Sequence, residues 1–396
     1  MNKAKSLVIL AGGKGTRIAK YLNNLPKPMA KFNNFHFLEY LIKNFSKYNF
    51  KKIYILTGFK HSYIHKKFDK KNFNFINTEC IKEGKPMGTG GALFSLRKKI
   101  KEDFVLINGD TLFDININDL TISLGSKFLG KMALVKKKKN NQSLKLNKLD
   151  LNKGIICTKK NGAYINGGIY FFKKDFLKVI KNDYSSLEND ILPSLIKKKK
   201  ILGKVFNNFF LDIGTPKDFQ KSANVLYKYF QKPAAFLDRD GVINHDYGYV
   251  HKFKDFKLRP KVLKALKILI EKNYYIFIVT NQAGIAKGFY KENDFINLQK
   301  KVKSYFSTKN IFIDKVSYSP YHVKGEVKKY RKKSSLRKPG NLMIKNIFKE
   351  WHIQKNKSFM IGDKKSDEKA AFKSKLYFEY VKKDLAYQIK NIIRKI

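Results

Sequence analysis

Cysteine is nearly absent from this 396-residue chain, which has only Cys80 and Cys157. Two cysteines cannot build a disulfide framework, and no metal-spaced cluster exists. Nowhere do 18 apolar residues run together, so no membrane-spanning helix is expected. The first apolar run, residues 7–11, is too short for a signal-peptide core and gives way at once to glycine. A cytoplasmic protein with no membrane partner is expected. Acidic residues are also scarce, 31 Asp+Glu against 84 Lys+Arg, giving a net charge of +53. Only seven of the basic residues are Arg and the other 77 are Lys. Zinc-finger spacing, an aromatic RNA-binding signature and a basic-zipper pattern are all missing. Lysine is spread along the whole chain, together with abundant Asn, Ile, Phe and Tyr, all encoded by AT-rich codons. Compositional drift would raise Lys along with them. A nucleic-acid partner is not expected, whereas attraction of anionic substrates is.

What is present supports folded cores: 43% hydrophobic residues, 14% of all residues aromatic. At about 150 residues per domain the length suggests two to three domains. Short apolar runs at 7–11, 53–57, 104–107, 169–172, 235–237, 276–280 and 359–361 read as buried strands. Helix-like stretches fall at 37–48, 216–230, 262–273 and 295–306. This alternation predicts an α/β protein with parallel sheets covered on both faces. Ligands then sit beyond the carboxyl ends of the strands. A fresh strand begins after Gln231-Lys232-Pro233, which divides the chain into two unlike domains, 1–230 and 231–396. The lysine runs at 136–139 and 197–200 read as solvated loops or helix ends.

In the first half, the leading strand enters Gly12-Gly13-Lys14-Gly15-Thr16-Arg17. Such a turn lets backbone N–H groups approach a phosphate, although an ordinary strand–helix turn has the same look. Neither the dinucleotide G-x-G-x-x-G with its acidic residue nor the P-loop spacing fits. Lys27 lies between two prolines, and Gly88-Thr89-Gly90-Gly91 opens a helix-like segment. Asp110 follows a strand, where a Mg²⁺ carboxylate is expected, and Asp212 ends another apolar run. Each of the two is equally readable as a helix cap when taken alone.

In this order, residues 5–225 resemble the sugar-1-phosphate nucleotidylyltransferases. The runs AGGKGTR, PMGTGGAL, INGGIYFF and LDIGTP are most similar to the heptose and mannose 1-phosphate guanylyltransferases. The resemblance implies a Rossmann-like mixed sheet of the GT-A type. It places the nucleoside triphosphate on Gly12, Gly13, Gly15, Thr16 and Arg17, and the base and ribose against Glu83 through Gly91, including Gly88. Lys27 becomes a phosphate-binding lysine, and Asp110 and Asp212 the Mg²⁺ carboxylates. Asn166-Gly167-Gly168 and Glu188 become sugar contacts. The expected Glu-Lys pair before the sugar turn reads Cys157-Thr158-Lys159-Lys160. Its glutamate is missing, and Lys159 or Lys160 is left to meet the sugar phosphate.

The second half carries Asp238-Arg239-Asp240-Gly241 directly after a strand. Two carboxylates at this spacing suit a nucleophile and an acid–base partner. An acidic turn is the plain alternative for that run alone. Thr280-Asn281-Gln282, Arg337-Lys338-Pro339 and Gly362-Asp363 follow in order, each fit for phosphate or Mg²⁺. Four ordered motifs resemble the haloacid dehalogenase phosphatases over 234–380, which implies a parallel sheet flanked by helices. DRDGVIN, TNQAGIAKGFY and IGDKKSD are similar to the heptose bisphosphate and histidinol phosphatases. The resemblance makes Asp238 the nucleophile and Asp240 the acid and base. Thr280, Asn281 and Lys338 hold the phosphoryl group. Asp238, the Asp240 carbonyl and Asp363 hold Mg²⁺, and Asp367 braces the loop.

Relatives carry a zinc loop of three Cys and a His before the Arg-Lys-Pro run. The matching stretch, 319–337, has no Cys and one histidine, His322, which cannot complete a tetrahedral site. No zinc is expected, and Arg331 and Arg337 are assigned to a second substrate phosphate. The two resemblances name consecutive reactions, so a bifunctional enzyme of heptose activation is expected, with GTP favoured over ATP. The alternative is a transferase for another sugar 1-phosphate joined to a histidinol-phosphate-type phosphatase. A basic scaffold on decayed enzyme domains is the non-enzymatic competitor, and the intact set of charged positions argues against it.

Overall fold

The computed structural model describes residues 4–122, 124–137 and 149–396. Contacts divide the chain into two compact units, Met1–Asn224 and Val225–Ile396, with the division falling inside the helix Pro216–Phe230.

In the first unit, the strand Ser6–Leu10 runs parallel to both Lys52–Thr57 and Phe104–Asn108 at the middle of a ten-stranded sheet. Leu7, Val8 and Ile9 are fully buried, as expected for a strand covered on both faces. Tyr164–Phe172 pairs antiparallel with Phe104–Asn108 and with Gly130–Lys136, so the sheet is mixed. Alternating strands and helices alone predict a parallel sheet. An apolar run buried on both faces has the same composition in either direction, which is why the antiparallel strand does not declare itself. The helix Phe37–Ser46 starts where Glu39 accepts the His36 backbone N–H at 2.7 Å. Its Phe37, Leu41 and Phe45 stack on one buried face. Each such side chain contributes about 1.5–3 kcal/mol by burial.

The second unit has a five-stranded, wholly parallel sheet. Its order is Lys315–Ser319, Tyr275–Asn281, Ala234–Leu237, Phe359–Gly362, Tyr377–Tyr380. The helices Val262–Glu271 and Leu385–Lys395 pack their apolar faces, Leu266, Leu269, Ile389 and Ile392 among them, into one core with Ile276 and Ile278. The lysine run at 197–200 closes the helix Leu192–Lys197 and leads into a strand. Of the other run, Lys136 ends a strand, and Lys138 and Lys139 lie outside the described residues. No helix among the described residues is long and apolar enough to cross a membrane.

Two buried groups make the first unit alkali-sensitive. Burial raises the Cys80 thiol from 9.0 to about 12 and the Tyr48 hydroxyl from 10.0 to about 12. The folded state holds both neutral. Their stabilisation is complete below the unfolded values and is lost as pH climbs through the folded ones. Between roughly pH 9 and 12, each group is expected to remove about 1.4 kcal/mol per pH unit across its own window. Thermal melts should show a falling midpoint above about pH 9, with less of a fall in Cys80→Ala.

Candidate active sites

The first cleft lies beyond the carboxyl ends of Ser6–Leu10, Lys52–Thr57 and Phe104–Asn108 and encloses about 600 Å³. That volume suits a small-molecule ligand. The Gly109 N–H donates to Leu10 O at 2.9 Å, which pins the Asn108–Asp110 turn to the first strand. Gly12, Gly13, Lys27, Glu83, Gly88, Asp110 and Glu188 all line the cleft. Lys85 and Thr89, from the loop expected at the base and ribose, line it too, as do Lys14, Phe59 and Lys82, to which the sequence assigned no role. Lys14 stands inside the glycine-rich run, which was the available signal.

Lys27 is 6% exposed, and its Nζ lies 2.6 Å from Asp110 Oδ2. Burial pushes Asp110 up, but the Lys27 ammonium outweighs it and holds the carboxyl below its ordinary value. Asp212, paired in register with Thr111, accepts the Gly214 N–H at 2.6 Å. Burial, and then the Asp110 charge, raise Asp212 to about 6. The Asp110 charge opposes ionisation of Asp212, and a divalent cation shared by the two carboxylates would relieve that repulsion. Arg17 also acts on Asp212 as a favourable charge.

Other expected ligand contacts sit elsewhere. Gly15, Thr16 and Arg17 lie past the cleft wall, on and before the turn Thr16–Tyr21. Gly91 packs on the 183–185 segment, its N–H 3.3 Å from Ser185 O. Asn166, Gly167 and Gly168 form a bulge beside Asn108 and Thr111, with Gly168 N–H donating to Asn166 Oδ1 at 2.9 Å. Glu188 joins two walls, accepting from Thr89 Oγ1 at 2.8 Å and Asn108 Nδ2 at 3.4 Å. Lys159 is exposed and ion-paired with Asp150 at 3.0 Å, on an edge hairpin outside the cleft. There its ammonium is engaged by that carboxylate.

The second cleft, about 590 Å³, opens at the carboxyl end of the five-stranded sheet. Asp238 leaves the strand Ala234–Leu237 nearly buried. Its Oδ1 accepts the Arg239 N–H at 2.7 Å and faces Lys338 Nζ at 2.9 Å. Burial and the Asp367 charge raise Asp238 to about 7 against the pull of Lys338. Lys338 also meets Asp367 at 2.6 Å and donates to Val279 O at 2.8 Å. Asp367 takes the N–H groups of Asp363 and Lys364 at 3.2 and 3.0 Å, so it does brace that loop.

Carboxylate oxygens of Asp238, Asp363 and Asp367 lie within 4.8 Å of one another. Asp363 Oδ1 is buried without a hydrogen-bond partner. That vacant acceptor fits a divalent cation. The Asp240 carboxylate is outside this group. Arg239, 1% exposed, grips it through Nη2 at 2.8 Å, while Asn244 and Gln282 donate at 2.9 and 3.0 Å. Gly241, at φ 84°, has no room for a Cβ against Asp363, so the turn between the two carboxylates demands glycine.

Thr280 and Asn281 line the cleft. Gln282 donates to Thr280 Oγ1 at 2.9 Å, leaving the hydroxyl proton for a ligand. The Asn281 side chain is spent on Lys338, bonding its N–H and C=O at 2.9 and 3.0 Å. Arg337 lines the cleft, but Arg331 is exposed and outside it. Lys287 lines the cleft as well, its Nζ donating to Tyr249 Oη at 2.9 Å. The 319–337 segment is fastened without cysteine: Glu292 accepts from Tyr318 Oη at 2.8 Å and from Tyr330 Oη at 2.7 Å.

Two independent phosphate-handling centres, each at the carboxyl edge of its own sheet, define an enzyme of nucleotidyl and phosphoryl transfer. A nucleotidyl transferase family model matches residues 6–228, and a polynucleotide kinase 3 phosphatase model matches 235–392. The chain belongs to the nucleotidyl transferases through its first half and to the haloacid dehalogenase-like phosphatases through its second. The first half is 33% identical over 224 residues to the D-glycero-alpha-D-manno-heptose 1-phosphate guanylyltransferase of Campylobacter jejuni, covering 54% of this chain and 96% of that one. The second is 40% identical over 141 residues to the D-glycero-beta-D-manno-heptose-1,7-bisphosphate 7-phosphatase of Rhodopseudomonas palustris, covering 36% and 78%. An Escherichia coli enzyme of the same name is 37% identical over 139 residues, covering 35% and 73%.

Proposed function

We propose that this bifunctional enzyme makes GDP-activated D-glycero-D-manno-heptose, a precursor of surface polysaccharide. The C-terminal half removes the 7-phosphate of the heptose 1,7-bisphosphate. The N-terminal half transfers a guanylyl group from GTP to the resulting heptose 1-phosphate and releases pyrophosphate. One half's product is the other's substrate, and fusion raises the local concentration of that intermediate.

In the phosphatase half, an Asp238 oxygen attacks phosphorus as the P–O bond to the sugar breaks. Asp240 gives a proton to the departing sugar oxygen. Water then attacks the aspartyl phosphate, Asp240 takes its proton, and phosphate leaves with Asp238 restored. Lys338 and Thr280 hold the phosphoryl oxygens. In the transferase half, an oxygen of the sugar 1-phosphate attacks the α-phosphorus in line. Lys27, Lys14 and the Gly12–Gly13 backbone orient the polyphosphate. Asp110 with Asp212, and Asp238 with Asp363, are the residues that would hold Mg²⁺. The cation would neutralise charge on phosphoryl oxygens at both sites.

The observation that carries the bisphosphate reading is a pair of cations in the second cleft that no carboxylate among the described residues matches. Lys338 is matched by Asp238 and Asp367, and Lys364 by Asp246 at 2.9 Å. Arg337 and Lys287 also line the cleft, and among the described residues neither has a carboxylate partner. A monophosphate leaves that pair unused; a second phosphate engages it. Lys287→Met is therefore expected to lower kcat/KM on the bisphosphate about 10–100-fold, the worth of one charge-assisted contact. Hydrolysis of p-nitrophenyl phosphate should stay unchanged.

The whole reading is tested by one product assay. Full-length protein receives Mg²⁺, either anomer of the bisphosphate, and equimolar GTP, ATP, CTP and UTP. GDP-heptose with phosphate and pyrophosphate is the expected outcome. An untouched bisphosphate sinks the heptose reading and brings histidinol phosphate forward.

A further inference from the structure

Glu292, the first residue of the helix Glu292–Thr308, lines neither cleft. Its two oxygens nonetheless gather separate parts of the phosphatase half. Oε1 accepts from Tyr318 Oη at 2.8 Å and Oε2 from Tyr330 Oη at 2.7 Å. Tyr318 lies on the strand Lys315–Ser319 at the edge of the sheet, and Tyr330 ends the turn Lys328–Tyr330 beyond it. The helix that carries Glu292 is anchored by Phe295, Leu298, Val302 and Phe306, all buried, so the carboxylate stands on a rigid support. Phe295 also packs on the Tyr318 ring, with centroids 4.5 Å apart. Burial, and then the hydrogen bond to Glu292, raise both phenols above their ordinary value, so each keeps the proton it donates.

Both unmatched cations of the second cleft lean on the segment pinned in this way. The Tyr330 C=O accepts the His322 N–H at 3.2 Å, which holds His322 at the cleft wall. The neighbouring Tyr321 C=O accepts from Arg337 Nη1 at 3.5 Å. On the other side, the Val327 N–H donates to Ala286 O at 2.9 Å, directly before Lys287. The fit there is close: a Cβ on Gly325 would sit 2.9 Å from both the Cβ and the oxygen of Ala286. The Tyr330 N–H closes the link by donating to Val327 O at 2.9 Å. Arg337 and Lys287 are therefore each joined to Tyr330 by a short run of backbone and hydrogen bonds.

We propose that Glu292 is a positioning residue that gives the phosphatase centre its selectivity for a bisphosphate. It touches no substrate. By fixing Tyr318 and Tyr330 to one rigid point, it sets the separation of Arg337 and Lys287, and so the place of the second phosphate. Two cations on long side chains grip one phosphate well only when their backbones are held in advance, because the cost of ordering them is then not met on binding. The reacting end of the cleft does not depend on this tie. Lys338 is held by Asp238, Asp367, Val279 O and Asn281 instead. The inference rests on the bisphosphate reading and adds the residue that supports it from outside the cleft.

The test measures kcat and KM of full-length protein on the heptose 1,7-bisphosphate and on p-nitrophenyl phosphate. In Glu292→Ala, KM for the bisphosphate is expected to rise about 10-fold while kcat holds within about 3-fold. Hydrolysis of p-nitrophenyl phosphate should stay at the wild-type level. Glu292→Gln should restore most of the loss, since its amide oxygen accepts from one phenol and its amide N–H donates to the other. Lys287→Met should cost much less in the Glu292→Ala background than in wild type, because the contact it removes is already misplaced. Tyr330→Phe keeps the ring and removes one tie; it should raise the same KM and stands in if Glu292→Ala does not fold. An unchanged KM for the bisphosphate, an equal loss on both substrates, or strict additivity with Lys287→Met overturns the proposal and leaves the bisphosphate reading standing. A wild type no better on the bisphosphate than on p-nitrophenyl phosphate overturns both.

Discussion

Asp238→Asn is expected to abolish phosphate release from the heptose bisphosphate, by at least about 10⁴-fold in kcat, and to leave guanylyl transfer from supplied heptose 1-phosphate unchanged. The amide keeps the volume of the side chain and removes the nucleophile. The fold should tolerate it, because Lys338 retains Asp367 at 2.6 Å and so is not left as an uncompensated buried charge. Asp238 is itself raised to about 7 by its burial, so a neutral group at that position costs little. Phosphate release and nucleotide-sugar formation are measured on the same preparation. Loss of both activities in a folded protein would show that the two centres are not separate.

Asp110→Asn is expected to do the reverse: nucleotidyl transfer falls about 10³-fold or more, and the bisphosphate stops at the 1-phosphate. Here the neighbours decide the consequences. Lys27 is buried and loses its 2.6 Å partner. Asp212 is held at about 6 by burial and then by the Asp110 charge, so it ionises more readily once that charge is gone. It then stands as the remaining counter-charge for Lys27. The protein should stay folded, with a cation seat reduced to one carboxylate. Titrating Mg²⁺ against the residual transfer activity should show weaker saturation than in wild type. An unchanged Mg²⁺ dependence would remove Asp110 from the proposed cation seat.

How much of this was legible in sequence differs between the two halves. In the phosphatase half, each motif directly follows its own apolar run, and parallel strands bring those ends to one edge. Asp238, Thr280, Lys338 and Asp363 could therefore be named in advance. Arg239 and Gln282, which grip Asp240, stand inside the same motifs; sequence gives no direction for a side chain, so their part was hidden. Lys287 stands inside the run TNQAGIAKGFY, but nothing in that run says that its side chain faces the cleft. In the transferase half, strand ends and cleft glycines were readable, but the antiparallel strand Tyr164–Phe172 was not readable from burial alone. Lys159 illustrates the limit. Its ion-pair partner, Asp150, lies nine residues back, and only the pairing of those strands brings the two together.

Both cysteines fall in the transferase half, and the phosphatase half has none. Its 319–337 segment is tied by two tyrosine hydroxyls sharing the Glu292 carboxylate. A loop fastened this way offers no thiol to peroxide. Peroxide treatment is therefore expected to leave the fastening of that loop intact and to reach Cys157 first, the more accessible of the two thiols.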